Sequence, residues 1–131
     1  MEVLKRIKQQ ASTVKELSIE LENEENYRGI ERLIYLTLQA LLDMGLMVLS
    51  AIGISPAGYR DVATSLARLG LIAQEDAELM RAIAGLRNIL VHGYMGVNRE
   101  IILESAKRLP EDTVRLADQI LSSANLRVKN L

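Results

Sequence analysis

LIYLTLQALLDMGLMVLSAIGI, residues 33–54, is the most apolar run of the chain. It is nearly long enough to span a bilayer, but Gln39, Asp43 and Ser50 interrupt it. A carboxylate near the middle of a membrane helix costs about 3 kcal/mol. The run therefore reads as a buried or interface helix of a soluble protein, not as a membrane span. The helix extends back to about Asn26 and ends near Ile52, with Gly53 as its stop. Apolar residues cover most of its circumference, which requires burial on several sides. One polar stripe remains: Arg28, Arg32, Tyr35, Gln39 and Asp43 recur at steps of four, three, four and four, which places them on one face. That face is either solvated or lines a cleft or polar interface. Because Gln39 and Asp43 lie deep in the apolar run, the carboxylate needs a partner such as an arginine.

Outward from this helix the period stays helical. Valine, isoleucine and threonine are scattered without alternation, so no strand is expected. The first helix covers Val3 to Asn23, with Val3, Ile7, Ala11, Val14, Leu17 and Leu21 as its apolar stripe. Ser55-Pro56 reads as N-cap and first position of a third helix ending at Gly70. A fourth starts near Gln74 and carries Ala77, Met80, Ile83, Ala84, Leu86 and Leu90 inward, until Gly93 and Gly96 break the pattern. Asn98 caps a fifth up to Leu109, and Pro110-Glu111-Asp112 opens a sixth, with its acids at the positive end of the dipole. The tail from Asn125 is expected to fray. The expected architecture is all-α, an up-and-down bundle of five to six helices in one domain over residues 1–131.

Composition narrows the function. Sixteen basic and 17 acidic residues leave a formal charge of −1. Proteins that coat nucleic acid are strongly basic, so any nucleic-acid contact here is local. With no cysteine there is no disulfide, thiolate metal site or cysteine nucleophile. One histidine and no cluster of acids at ligand spacing argue against a catalytic metal or a cofactor; Glu24-Glu25 and Glu75-Asp76 read as solvated charge or helix starts. The N-terminal Met1-Glu2-Val3-Leu4-Lys5-Arg6 lacks the apolar core of a signal peptide. These features fit a cytoplasmic protein that makes no membrane contact.

The chemistry that remains is at the end of the fourth helix, Arg87-Asn88-Ile89-Leu90-Val91-His92-Gly93-Tyr94. His92 is the single histidine, the side chain that titrates near neutrality and the default general acid or base. Asn88 and His92, at i and i+4, share a face. On a continuous helix Arg87 and His92 stand about 140° apart, so they do not converge directly. Gly93 lets the helix end, and Tyr94 can fold back. A guanidinium binds phosphate and stabilises developing negative charge, while an imidazole moves protons, a pairing suited to a phosphodiester. A helix C-terminus also favours cations without any catalysis, so a structural role for Arg87 and His92 stays open.

The pattern Arg-Asn-x-x-x-His-x-Tyr, here Arg87-Asn88, His92 and Tyr94, resembles the signature of the HEPN superfamily and more narrowly of the HepT-type toxins. Gln39-Ala40-Leu41-Leu42-Asp43 on the long helix and Ala84-Gly85-Leu86 before Arg87 look like the same family, and the likeness runs from about Ile30 to Leu121. The resemblance implies a helical homodimer whose shared cleft carries both copies of the motif, and a metal-independent endoribonuclease acting on RNA. It also implies a small nucleotidyltransferase antitoxin that silences the toxin by attaching AMP to Tyr94. In that scheme Arg87, His92 and Asn88 are catalytic, and Arg32, Gln39 and Asp43 are a supporting polar face. Some members of the superfamily bind nucleotides or partners without cleaving RNA, so a non-catalytic module acting with a nucleotidyltransferase is the alternative. A dimeric helical adaptor is a third reading.

Overall fold

The computed structural model describes residues 2–92 and 98–128. Among them are five α-helices and no strand: α1 Glu2–Asn23, α2 Tyr27–Ala51, α3 Tyr59–Arg68, α4 Ala77–Val91 and α5 Arg99–Val128, with a short 3-10 turn Gln74–Asp76 leading into α4.

α2 is the axis. It touches each of the other four helices, and they divide around it: α1 pairs with α5, and α3 pairs with α4. Ile34, Leu38, Leu41, Leu42, Met44, Val48 and Leu49 are fully buried along it. Each fully buried aliphatic side chain of this size contributes about 1.5–3 kcal/mol relative to exposure. By length and composition alone α2 could cross a membrane, but 56% of its most apolar window is buried inside the bundle. The expectation of a core helix is met. Asn26 caps its start, its side chain accepting from the Gly29 N–H at 3.2 Å. Its end is followed by Gly53 at φ 81°, a left-handed conformation that favours glycine.

Several expected boundaries move. On α1 the buried stripe is Leu4, Ile7, Ala11, Val14, Ser18 and Leu21, while Val3 is 39% exposed and Leu17 half-buried. The serine enters because its hydroxyl has a buried partner, Thr113 Oγ1 at 2.9 Å. α3 begins at Tyr59, not at Ser55-Pro56. The chain turns first, held by the Ala57 N–H donating to Asp61 Oδ2 at 2.8 Å, and Gly58 takes the N-cap position. This delay brings Tyr59 to the first turn of the helix, facing α2. Gly70, at φ 74°, ends the helix as expected.

The fifth and sixth expected helices are one, because α5 runs through Pro110. A proline inside a helix loses one N–H and crowds the carbonyl four residues back, at a cost of about 3 kcal/mol. Burial overrides it here. Leu109, Pro110 and Thr113 are all buried, and Thr113 donates to the Leu109 carbonyl at 2.6 Å while bonding Ser18 of α1. Glu111 and Asp112 therefore stand mid-helix, not at a positive helix end. Asn98 does cap α5, accepting from the Glu100 and Ile101 N–H groups. At its far end the helix continues through Asn125 to Val128 where fraying was expected. Arg127 holds it, its Nη2 donating to the Leu69 carbonyl at 2.6 Å.

Asp76, read from sequence as solvated charge or a helix start, clamps the two helix pairs together. It receives Arg115 at 3.0 Å and Gln119 at 3.1 Å from α5. The described residues thus share one hydrophobic core, with α4 set against the polar stripe of α2.

Candidate active site

α4 packs on α2 so that Arg87 meets Gln39. The Arg87 Nε–H donates to Gln39 Oε1 at 2.7 Å, and its Nη1 donates to Asn88 Oδ1 at 3.0 Å. The guanidinium carbon lies 4.8 Å from the centroid of the Tyr59 ring, within cation–π range. Beneath this contact lies a closed polar triangle. Gln39 Nε2 donates to Asp43 Oδ1 at 3.0 Å and to the Tyr59 hydroxyl at 2.8 Å, and that hydroxyl donates to the same Asp43 oxygen at 2.8 Å. Burial, and after it the hydrogen bond to Asp43, raises the Tyr59 phenol above its ordinary range, so it remains a proton donor to the carboxylate.

The polar stripe of α2 is therefore divided. Its C-terminal half, Gln39 and Asp43, is half-buried and locked into this cluster. Its N-terminal half walls a cleft of about 380 Å³ whose lining is Arg28, Glu31, Arg32 and Tyr35 from α2 and Leu90 and Val91 from α4. Arg32 lies over the Tyr35 ring at 5.7 Å and belongs to the cleft, not to the cluster. The expected arginine partner of Asp43 is corrected: Tyr59 and Gln39 satisfy the carboxylate, and Arg87 stands one side chain further on.

His92 is the C-cap of α4, its backbone N–H donating to the Asn88 carbonyl at 3.2 Å. Asn88 and His92 are exposed, and Arg87 is half-buried. The helix end thus presents an imidazole and an amide to solvent beside an anchored guanidinium, next to the cleft that Val91 helps to line. Two large aliphatic side chains, Ile89 and Val91, are 55% and 42% exposed on the same turn. Tyr94, expected to carry the modification, lies outside the described residues, as do Gly93 and Gly96. Among the described residues no group of three His, Cys, Asp or Glu side chains is placed to hold a metal ion.

Tyr59 was absent from the residues expected at the site. Its contacts to α2 span 16 and 20 positions of sequence, beyond any local pattern. The available signal was indirect: a carboxylate within an apolar run demands a donor from another element.

Solved structures share this architecture. A tri-AMPylated Shewanella oneidensis HEPN toxin in complex with MNT antitoxin superposes with a TM-score of 0.76 at 23% identity, covering 88% of this chain and 96% of that one. A toxin–antitoxin assembly with AMP-PNP gives 0.70 at 24% identity, covering 87% and 96%. The Bacillus subtilis cytosolic protein YutE, of unknown function, gives 0.74 at 13% identity, covering 96% and 90%. The fold class is thus an all-α bundle shared with these proteins. The family follows from the sequence itself: residues 1–123 match the model of the HepT-like ribonucleases, and the chain belongs to that family. An mRNA nuclease HepT of Shewanella oneidensis is 35% identical over 65 residues, which is 50% of this chain. The chain matches about half the length, 49%, of that curated relative.

Proposed function

We propose that the protein is a metal-independent endoribonuclease toxin, active as a homodimer in the cytoplasm and silenced by a nucleotidyltransferase antitoxin that adenylylates Tyr94. The observation that carries this reading is the pairing, on one helix end, of an anchored guanidinium with an exposed imidazole five residues on. Membership of a ribonuclease family supports the reaction class, and relatives described as a tri-AMPylated toxin with an antitoxin and as an mRNA nuclease support the partner and the substrate.

In the proposed reaction the RNA 2′-hydroxyl attacks the adjacent phosphorus and the 5′-oxygen leaves, so one fragment ends in a cyclic phosphate and the other in a hydroxyl. DNA lacks the nucleophile and is resistant. Arg87 stabilises the charge that develops on the phosphorane oxygens, Asn88 orients the phosphate or the imidazole, and His92 transfers a proton. The reaction needs one base and one acid, and one chain supplies one histidine. A two-fold dimer brings two copies of His92 to one scissile bond. The exposed Ile89, three residues before His92 and so on its side of the helix, supports a second copy covering this face.

The silencing step is tested by co-expression with a cognate nucleotidyltransferase followed by peptide mass analysis. The expected result is one or more added AMP masses on the peptide containing Tyr94, with loss of RNA cleavage. A bulky anion there opposes the substrate phosphate by sterics and by like charge. Modification confined to other peptides contradicts the role given to Tyr94.

A further inference from the structure

Among the described residues three side chains hold Arg87, and none of them is charged. Gln39 accepts from Nε, Asn88 accepts from Nη1, and the Tyr59 ring lies against the guanidinium. The carboxylate of the cluster, Asp43, acts at one remove by fixing which way the Gln39 amide points. An amide has two orientations. With its NH2 toward Asp43 and Tyr59, its carbonyl oxygen faces the Arg87 Nε–H. Turned over, it would set donor against donor at Arg87 and oxygen against carboxylate at Asp43. A carboxylate accepts hydrogen bonds and does not donate, so the Tyr59 hydroxyl must give its proton to Asp43 and accept from Gln39. Every hydrogen bond from Arg87 through Gln39 and Tyr59 therefore has one allowed direction, with Arg87 the first donor and the Asp43 carboxylate the final acceptor.

A carboxylate in direct contact would hold the arginine as firmly but would neutralise much of the charge that a phosphorane needs. Neutral holders fix the orientation and leave the charge available. We propose that Tyr59 is a positioning residue for Arg87, its ring bracing the guanidinium and its hydroxyl locking Gln39 so that the arginine meets the scissile phosphate in one orientation without a carboxylate on it. This role rests on the ribonuclease reading of the site. It extends the site to α3, which contributes no residue to the motif.

The test is a double-mutant cycle read by single-turnover cleavage of an RNA oligonucleotide. Misplacing a catalytic group by about 1 Å can cost roughly 100-fold. Tyr59→Phe, which keeps the ring, is expected to slow the cleavage step roughly 10-fold with little change in substrate affinity. Gln39→Glu, which sets a carboxylate on Arg87, is expected to slow it further. In an Arg87→Ala background Tyr59→Phe is expected to have no additional effect, because its target is gone. Asp43→Asn, which leaves Tyr59 intact but removes the fixed polarity, serves as a second variant should Tyr59→Phe fold poorly. A readout independent of activity accompanies the cycle: the Arg87 Nε–H, assigned by its absence in Arg87→Ala, is expected to exchange with solvent several-fold faster in either variant. Equal losses from Tyr59→Phe with and without Arg87 overturn the proposal, as does unchanged cleavage. A wild type that leaves RNA intact overturns the ribonuclease reading itself, and the positioning role with it.

Discussion

His92→Ala is expected to lower RNA cleavage by roughly 10²- to 10⁴-fold, the range that a positioned general acid or base supplies. Expression of the wild type is expected to arrest growth, and expression of the variant to be tolerated. The fold is expected to survive the change, because His92 is exposed at the helix end and its one described hydrogen bond is made by the backbone N–H, which alanine keeps. An unchanged unfolding midpoint with lost cleavage assigns the effect to chemistry. Growth arrest by both proteins would favour a binding module that acts with a nucleotidyltransferase. The purely structural reading makes the opposite prediction: if the imidazole served the helix dipole alone, its loss would cost about 0.3–1 kcal/mol of stability and leave cleavage unaffected.

The second large effect is expected at Ile89. This side chain is 55% exposed in the single chain, so Ile89→Glu removes little of the core. If a second copy covers the turn, the substitution sets a carboxylate in an apolar contact and separates the protomers. Sedimentation is then expected to show a monomer with native helical content, and cleavage is expected to fall by more than about 100-fold, because each separated chain has one histidine for two proton transfers. Mixing monomeric variants whose substitutions disrupt opposite sides of the contact should restore part of the activity if they pair again. A monomer that cleaves as fast as the wild type contradicts the shared site.

How far the sequence led depends on whether a feature is local. The extent of α2 was legible, because its apolar circumference and its stop Gly53 are local features; that Asn26 caps its start came from the structure. The division of its polar stripe was not, since that depends on which helix packs where. Ser55-Pro56 misled because a good local start signal was overridden by the Asp61 carboxylate, which draws the Ala57 N–H and delays the helix. Pro110 misled for a similar reason: its local cost is real, but the burial of Leu109 and Thr113, with the Thr113 bond to Ser18 of α1, outweighs it. At the site, the motif residues Arg87, Asn88 and His92 lie on one stretch and could be read directly. Asp43 posed its question in sequence, a carboxylate without a visible partner, and the fold answered it with Tyr59, a residue on a different helix.

The proposed reaction is metal-independent transesterification of RNA by Arg87 and His92. It is tested most directly by incubating the purified protein with a single-stranded RNA oligonucleotide in excess chelator and determining the product ends by mass spectrometry. The expected result is cleavage with a 2′,3′-cyclic phosphate on one fragment and a 5′-hydroxyl on the other, and an intact substrate when the 2′-hydroxyl at the cut site is replaced by hydrogen. Cleavage that stops with the chelator, or that proceeds at a 2′-deoxy position, would contradict it.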